Sequence, residues 1–296
     1  MNFCEYRVSS IQNFELKDIF ECGQCFRWKK EENGSYTGVT KVGVINVSNE
    51  SRDVIIKGYV ESTNFEAFCR NYFDLDRNYR EIQKEISKND EVMKQAIKYG
   101  NGIRILNQDP WEMLVSFIIS AANNIPRISR TIENISAKYG QKIHLSEEEA
   151  KKITGSCQKL AYYMFPSAQE LKKSTMDELR ECNLGFRDKY VYNAMELVNN
   201  KTIDLNEISS MEYAKAKKEL VKVPGVGSKV ADCILLFSMG KTEAFPVDTW
   251  IKQIMNEVYI ESKSAKKINE FALQKFGEYA GIAQQYLFYY KREGNI

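Results

Sequence analysis

The spacing of hydrophobic and polar residues differs between the two ends of the chain. Residues 35–47 and 53–60 are rich in β-branched and aromatic residues, and the turn-forming residues 48–51 separate them. From about Phe65 onward, apolar residues recur at helical spacing instead. The pattern predicts an α+β protein: an N-terminal antiparallel β-sheet domain with flanking helices over 1–100, followed by a mainly α-helical domain over 101–296.

Start and stop signals divide the helical part into elements. They predict one helix over 82–97, a second that begins at Pro110, and a third that begins at Pro126 and ends at Gly140. The apolar stripes of the second and third helices are Trp111, Leu114, Val115, Ile118 and Ile119, and then Ile128, Ile132, Ile135 and Tyr139. Four further helix starts are predicted from capping boxes at Ser146/Glu149, Ser167/Glu170, Thr175/Glu178 and Ser209/Glu212.

A turn rich in glycine and proline lies between two helical patterns near residue 225. The sequence Pro224-Gly225-Val226-Gly227 predicts a tight helical hairpin, because glycine tolerates positive φ and lets another molecule approach the backbone. Free N–H groups at the start of the following helix suit a phosphate. Ser228 is expected to cap this helix, whose apolar face would contain Val230, Cys233, Ile234 and Phe237.

Two reactive side chains follow the turn. Lys229 would lie in the first turn of the helix, where the dipole disfavours an ammonium and favours a nucleophilic amine. Asp248 precedes another helical pattern, and we expect it to cap that helix. The amine and the carboxylate would then face a common cleft. By spacing alone, an ordinary turn with a solvated lysine and a capping aspartate is an equal alternative.

Composition limits the class of protein. The chain has 296 residues, of which 43% are hydrophobic and 12% aromatic, and this argues against disorder. No apolar run reaches the length of a membrane span and residues 1–5 do not resemble a signal peptide, so a cytoplasmic location is expected, nucleoid-associated in a bacterium. The net charge of +2 does not by itself indicate a nucleic-acid binder.

Cysteine and histidine usage argues against a metal centre. The seven cysteines are an odd number without regular spacing, which favours reduced thiols. Cys22 and Cys25 form a C-x-x-C pair without a second pair, and His144 is the single histidine. We therefore expect no metal and no cofactor.

Longer motifs give a family resemblance. Residues 224–233, followed by Pro246-Val247-Asp248, resemble the helix-hairpin-helix and Gly/Pro-Asp signature of the lysine-bearing branch of the base-excision DNA glycosylase superfamily. No cysteine follows Cys233, so the four-cysteine iron–sulfur loop of endonuclease III-like relatives is absent. Other segments resemble the 8-oxoguanine DNA glycosylase/AP lyase family, in the same order: Gly23-Gln24-Cys25-Phe26-Arg27-Trp28, Gln108-Asp109-Pro110, Asn123-Asn124-Ile125, Phe165-Pro166-Ser167, Leu184-Gly185-Phe186-Arg187 and Tyr279-Ala280-Gly281-Ile282-Ala283-Gln284.

This resemblance implies an enzyme and its substrate. The expected activity is excision of 8-oxoguanine, preferably opposite cytosine, from double-stranded DNA, followed by strand cleavage through β-elimination. Lys229 would attack the sugar and form a Schiff base. Asp248 would stabilise the positive charge that develops there or assist Lys229 in losing its proton, and both roles stay open. No cofactor is implied, and a monomer without membrane contact is expected.

The resemblance also implies roles for other residues. Around the flipped base, the carbonyl of Gly23 would contact N7, Gln284 would bind the Watson–Crick edge, and Cys233 and Phe288 would lie against its two faces. Contacts with the rest of the DNA are implied for Asn123, Asn124, Arg127, Phe186, Arg187, Gly225, Val226, Gly227 and Trp250.

The chain departs from the family pattern at three positions. Ala122 stands where the family has the asparagine that fills the gap left by the flipped nucleotide, so the filling residue stays open. Phe186 replaces a tyrosine, which keeps the apolar wedge without its hydroxyl, and Trp250 replaces a histidine that donates to phosphate. Arg127 and Arg187 match the two arginines that contact the orphaned cytosine.

Three alternatives remain from the sequence. One is a glycosylase with a different base preference, against which Gln284, Phe288 and the missing iron–sulfur cysteines argue. The second is a non-catalytic helix-hairpin-helix module, which would not need Lys229 and Asp248 together. The third is a helical protein unrelated to DNA.

Overall fold

The N-terminal part of the protein is built on an antiparallel sheet. The computed structural model describes residues 1–61 and 64–295. Its five-stranded sheet has the order β1-β5-β4-β3-β2, and every neighbouring pair is antiparallel. The strands are β1 (Asn2–Val8), β2 (Trp28–Lys30), β3 (Tyr36–Thr40), β4 (Gly43–Glu50) and β5 (Asp53–Val60).

The predicted sheet is confirmed, but two of its boundaries were wrong. The segment 35–47 is two strands rather than one, because the chain reverses between Thr40 and Gly43. Gly43 has a φ of 137°, and a Cβ there would collide with the Tyr59 carbonyl oxygen, so only glycine fits. The turn predicted at 48–51 lies later, since β4 continues to Glu50. β1 and β2 were not predicted from the sequence.

Helices make up most of the rest of the chain. They are α1 (Leu16–Phe20), α2 (Phe65–Tyr72), α3 (Tyr79–Ile86), α4 (Glu91–Tyr99), α5 (Pro110–Ser120), α6 (Ile125–Tyr139), α7 (Glu147–Thr154), α8 (Ala168–Leu171), α9 (Met176–Leu179), α10 (Asp188–Asn199), α11 (Leu205–Ser210), α12 (Tyr213–Leu220), α13 (Ser228–Ser238), α14 (Thr249–Ile254), α15 (Ala265–Phe276) and α16 (Ala280–Arg292). A two-stranded antiparallel sheet of β6 (Lys142–His144) and β7 (Ala161–Tyr163) follows α6, with α7 between its strands in sequence. Turns of π-helix at Arg180–Leu184 and Met255–Tyr259 and of 3₁₀-helix at Gly185–Arg187 and Gly277–Tyr279 complete the fold.

The predicted helix over 82–97 is two helices, α3 and α4. The chain breaks where Asn89 takes a left-handed φ of 57°. Asp90 then caps α4, since its carboxylate accepts a hydrogen bond from the Met93 N–H at 2.9 Å. Apolar residues therefore keep helical spacing across a point where one helix ends and the next begins.

Most of the other start and stop signals are confirmed. α5 begins at Pro110, α6 begins one residue before Pro126, and Gly140 ends α6. Capping boxes form at Ser146, Ser167 and Thr175. The fourth box was wrong: Ser209 lies inside α11, and Glu212 is itself the residue before α12 and makes no side-chain cap.

The helical core surrounds α13 and α5. Every residue of α13 from 230 to 238 is buried, and all of α5 from 111 to 119 is buried as well. The two helices pack through the rings of Phe117 and Phe237, whose centroids are 5.6 Å apart. The C-terminal half of α13 is therefore anchored against α5.

The sheet has its own core, and Cys22 and Phe26 link the sheet region to the helical core. The division of the chain near residue 100 stays a prediction. Over 1–61 and 64–295, no helix combines the length and apolar character that crossing a membrane requires.

Candidate active site

The predicted hairpin joins α12 to α13. Gly225 has a φ of 90°, and a Cβ at this position would lie 2.8 Å from Cγ of Tyr190, so glycine is required. At Gly227 an added Cβ would meet no described atom within 4 Å. Gly227, and not Ser228 as predicted, is the N-cap, and the helix start carries no side-chain cap among the described residues. The backbone at this end of α13 is thus open to a ligand.

Val226 has a different part in the hairpin from its two glycine neighbours. Its side chain is buried, and its N–H donates to the Val223 carbonyl at 3.0 Å. An amide engaged in this way is not free to donate to a phosphate, so the DNA contact implied for Val226 would need another of its atoms and stays a prediction. Gly225 and Gly227 remain as candidates.

A buried ion pair connects the two helices of the hairpin. Asp232 accepts hydrogen bonds from Lys217 Nζ at 2.8 Å and from the Tyr213 hydroxyl at 2.7 Å. Burial raises the pKa of Asp232, and the Lys217 ammonium opposes that shift. This network fixes α12 against α13, and the sequence analysis assigned no role to it.

Lys229 lies in the first turn of α13 and is half-buried. Its Nζ is 5.6 Å from the centroid of the Phe117 ring. Cys233 follows one turn later, and burial raises the pKa of its thiol to about 11, an effect that the Lys229 charge partly offsets. Cys233 is therefore a neutral thiol beside the amine.

Asp248 interacts with the same amine. As predicted, it caps α14, because its Oδ1 accepts the Ile251 N–H at 2.8 Å. Burial raises the pKa of Asp248, while this hydrogen bond and the Lys229 charge lower it. Lys229, Cys233 and Asp248 thus share one electrostatic environment. The common cleft of the amine and the carboxylate stays a prediction. Trp250, in the first turn of α14, is 42% exposed.

The turn around Gly23 meets the C-terminal helix. Gly23 has a φ of 90°, and a Cβ on it would lie 3.1 Å from Cε1 of Phe288. Gln284 lies one turn before Phe288 on α16 and is buried. Its Oε1 has no hydrogen-bond partner among the described residues. Gly23 and Phe288, distant in sequence, are therefore neighbours.

Three glutamines hold this turn in place. Gln24 Nε2 donates to the carbonyls of Ile19 and Arg104, at 2.9 and 2.8 Å. Gln108 connects this turn to α13. Its Nε2 donates to the Gln24 carbonyl at 2.8 Å, and its backbone N–H donates to the Phe237 carbonyl of α13 at 2.9 Å.

The third glutamine, Gln285, donates from Nε2 to the Cys22 carbonyl at 2.7 Å. Sequence reasoning gave none of these three a role. Gln24 and Gln108 lie in segments that carry the family resemblance, which is the signal that could have found them.

A second cluster lies at the end of α5. Arg187 is only 4% exposed, and its guanidinium donates to the carbonyls of Ala121 and Ala122. Arg187 is therefore a buried arginine that anchors this loop. Burial and the nearby charge of Arg127 lower the pKa of Arg187. Phe186 is 60% exposed, and the Cζ of Arg187 is 4.3 Å from its ring centroid.

The two asparagines of this loop make local hydrogen bonds. Asn123 Nδ2 donates to the Ile119 carbonyl at 3.1 Å, and Asn123 Oδ1 accepts the Asn124 N–H at 3.0 Å. Asn124 caps α6 by accepting the Arg127 N–H. Ala122 has a left-handed φ of 49°. Both side chains thus shape the loop, and Ala122 exposes only a methyl group.

Both parts of the chain match family models. Residues 7–114 match the 8-oxoguanine DNA glycosylase N-terminal domain, and residues 115–278 match the HhH-GPD superfamily of base excision DNA repair proteins. The chain is 30% identical over 285 residues to N-glycosylase/DNA lyase OGG1 of Arabidopsis thaliana, covering 91% of this chain and 75% of the relative. The chain belongs to the 8-oxoguanine DNA glycosylase family. The family predicted from the sequence is confirmed.

Other members of the family are similar over most of their length. The N-glycosylase/DNA lyase of Saccharomyces cerevisiae is 30% identical, with 92% of this chain and 82% of the relative covered. The crystal structure of the 8-oxoguanine glycosylase/lyase of Clostridium acetobutylicum, in complex with double-stranded DNA containing cytosine opposite 8-oxoguanine, has a TM-score of 0.90. It is 44% identical, with 100% of this chain and 99% of that chain covered.

This member of the 8-oxoguanine DNA glycosylase family has all of its seven cysteines as free thiols. Cys22 and Cys25 are buried, and burial raises the pKa of both thiols. Over the described ranges, no three His, Cys, Asp or Glu residues form a group that could hold a metal ion.

Proposed function

We propose that this protein is a bifunctional DNA glycosylase/lyase that excises 8-oxoguanine, preferably opposite cytosine, from duplex DNA and then cleaves the strand. The membership of the family and the activities named for its relatives support this function. The observation that carries it is the position of Lys229. Its amine lies at the uncapped start of a buried helix, in the electrostatic field of Asp248. A module that only bound DNA would need neither group.

The hairpin is the docking point for the phosphate backbone. The N-terminus of α13 carries the positive end of the helix dipole, and its first N–H groups need acceptors. The open space beside Gly227 lets a phosphate reach the backbone closely. Gly225 and Gly227 provide this contact, and Trp250 at the start of α14 offers an indole N–H on the same DNA strand.

The flipped base occupies the space framed by Gly23, Cys233, Gln284 and Phe288. The unpartnered Oε1 of Gln284 accepts a hydrogen bond from the Watson–Crick edge of the oxidised guanine, which presents N–H donors there. Phe288 stacks on one face of the base, and the neutral Cys233 thiol lies against the other. The carbonyl of Gly23 accepts from N7–H, a donor that undamaged guanine lacks.

The chemical steps need only the lysine amine and the aspartate. The neutral Nζ of Lys229 attacks C1′, the C1′–N9 bond breaks, and the base leaves with the electron pair and takes up a proton. The amine loses a proton, and the C1′–O4′ bond then breaks, so that O4′ leaves with the electron pair and takes up a proton while C1′ and Nζ form an iminium. Removal of a C2′ proton then expels the 3′ phosphate by β-elimination. The ionised Asp248 stabilises the positive charge that develops on the sugar.

The cluster at the end of α5 contacts the opposite strand. Phe186 is exposed enough to act as an apolar wedge in the base stack. The exposed Arg127 donates to the orphaned cytosine, while Arg187 holds the loop of Asn123 and Asn124 through its carbonyl contacts and approaches the same base. Because Ala122 has only a methyl group, Phe186 and Arg127 occupy the vacated space.

Borohydride trapping tests the function. The purified protein is mixed with a duplex containing 8-oxoguanine opposite cytosine, with an undamaged duplex, and with a duplex containing an abasic site. We expect a covalent adduct on both damaged duplexes and none on the undamaged one. Lys229→Gln should abolish the adduct and retain duplex binding, while Lys222→Gln, an exposed lysine of the same hairpin, should still form it.

Two results would reject parts of this function. Binding without an adduct or base release would favour the non-catalytic module. An adduct on the abasic duplex combined with no excision of 8-oxoguanine would favour a different base preference.

A further inference from the structure

Three side chains share one face of α16, and two of them lie against the turn at Gly23. Gln284, Phe288 and Arg292 follow one another at intervals of four residues, so they lie in a row along the helix. Neither the sequence analysis nor the proposed function uses Arg292. A Cβ on Gly23 would lie 3.0 Å from Nη1 of Arg292 and 3.1 Å from Cε1 of Phe288. Arg292 and Phe288 therefore both contact this glycine.

The guanidinium of Arg292 is held in a fixed orientation. Nη2 donates to the Glu21 carbonyl at 2.6 Å, and Nε and Nη2 both donate to Glu293 Oε1, at 3.0 and 2.8 Å. Its Cζ is 5.6 Å from the centroid of the Phe288 ring. These contacts engage Nε and Nη2, which form one edge of the planar guanidinium. The remaining nitrogen, Nη1, is left on the side of Gly23 and Phe288.

Two buried polar atoms of this face lack partners. In the described part of the chain, six buried side-chain atoms make no hydrogen bond, and two of the six are Gln284 Oε1 and Arg292 Nη1. Gln284 Oε1 is a hydrogen-bond acceptor, and Arg292 Nη1 is a hydrogen-bond donor. Buried polar groups without partners are rare in folded proteins and call for an explanation such as a missing ligand. Both atoms lie on the same face of α16, on either side of Phe288, which indicates that one ligand satisfies both.

We propose that Arg292 is a specificity-determining residue of the base pocket, and that Nη1 donates to an exocyclic oxygen of the flipped base. The inference rests on the proposed function, because it takes oxidised guanine as the occupant. That base presents N–H donors to Gln284 and carbonyl oxygens to an arginine, whereas undamaged adenine has no exocyclic oxygen. The hydrogen bond is charge-assisted, since its donor is a guanidinium. The contact of Nη2 with the Glu21 carbonyl preorganises the donor.

Arg292→Met tests this role, because it removes every donor and keeps an unbranched stem against Phe288. Single-turnover excision of 8-oxoguanine opposite cytosine is measured beside strand cleavage at a preformed abasic site, which has no base to recognise. We expect excision to fall about 10- to 100-fold and abasic-site cleavage to stay within about 3-fold. Arg292→Lys, which keeps a cationic donor, should lose less than Arg292→Met.

Glu293→Gln is the matched control, because it breaks the ion pair and keeps Nη1 and the Glu21 contact. It should leave excision within about 3-fold of the wild type. Equal losses of both activities in Arg292→Met would show a purely structural anchor and overturn the inference. Unchanged excision would overturn it as well. If the wild type cleaves the abasic duplex but does not excise 8-oxoguanine, the proposed base preference fails first and the inference fails with it.

Discussion

The ammonium of Lys217 lies 2.8 Å from the carboxylate of Asp232 and so ties the two helices of the hairpin together. Asp232 is 1% exposed, and the Tyr213 hydroxyl satisfies its other oxygen. Removal of one partner of a buried pair leaves the other charge uncompensated. The hairpin therefore owes its rigid geometry to a contact that lies below the DNA-facing surface.

Asp232→Ala should lower the free energy of unfolding by about 3 kcal/mol, because it leaves the Lys217 ammonium without its carboxylate. Urea denaturation at pH 7 measures this. The control is Lys222→Ala, which breaks the exposed ion pair with Glu219 and should cost about 0.5 kcal/mol or less. Similar losses for the two variants would contradict the structural role of the buried pair.

Gly225→Ala and Gly227→Ala should affect the protein differently. At Gly225 the positive φ and the contact with Tyr190 oppose any side chain, so we expect a loss of stability of about 1–3 kcal/mol. At Gly227 there is room, so stability should change by less than about 1 kcal/mol, but the methyl group would intrude on the phosphate site. Thermal unfolding and duplex affinity separate the two effects. Unchanged affinity in Gly227→Ala would argue against phosphate binding at this backbone.

Asp248→Asn should reduce excision by about 100-fold or more, because the carboxylate that stabilises the positively charged sugar is lost. Asparagine still caps α14, so the free energy of unfolding should stay within about 1 kcal/mol of the wild type. Since burial raises the pKa of Asp248, protonation begins at a higher pH than for an ordinary aspartate. The wild-type rate should therefore fall as the pH is lowered toward that pKa, and this acid limb should disappear in Asp248→Asn. A pH–rate profile under single-turnover conditions checks both points.

Glu112 should make stability depend on pH. It is buried beside Arg27, at 3.5 Å, and burial raises the pKa of its carboxyl to about 7. In the unfolded chain the pKa of a glutamate is about 4.3, so the folded state binds the proton more tightly. This contribution to stability is fully present below about pH 4.3 and is lost as the pH rises through about 7.

The variant Glu112→Gln isolates this effect. Relative to the variant, the wild type should be more stable at pH 5 than at pH 8, by about 2 kcal/mol. Urea denaturation of both proteins at the two pH values measures the difference. An equal difference at pH 5 and pH 8 would show that Glu112 does not bind the proton more tightly in the folded state.

Signals that act within a few residues predicted local structure well. Pro110 and Pro126 start or nearly start helices, Gly140 ends one, and Asp248 caps α14 as expected. The hairpin at Pro224 was also predicted correctly. In each case the residue acts through its own backbone angles or through a hydrogen bond to a neighbour in sequence.

Predictions from local signals were wrong where two local structures were compatible with the same residues. Serine is a better N-cap than glycine in general, yet Gly227 precedes α13, because the turn at Gly225 sets where the helix begins. The helical spacing over 82–97 continues across a break at Asn89. A periodic pattern shows which face is buried, but it does not show whether the backbone is continuous.

The sequence by itself determined the α+β class, the helical hairpin and the family, since these depend on local propensities and on motifs that are contiguous in the chain. Only the tertiary structure decided the neighbours of Gly23. Arg292 reaches the Glu21 carbonyl across 271 positions of sequence, and Gln285 reaches Cys22 across 263. Such contacts arise because α16 packs against the turn after α1, and they depend on the burial of the whole core. A periodic pattern over a short segment does not show which distant segments pack against each other.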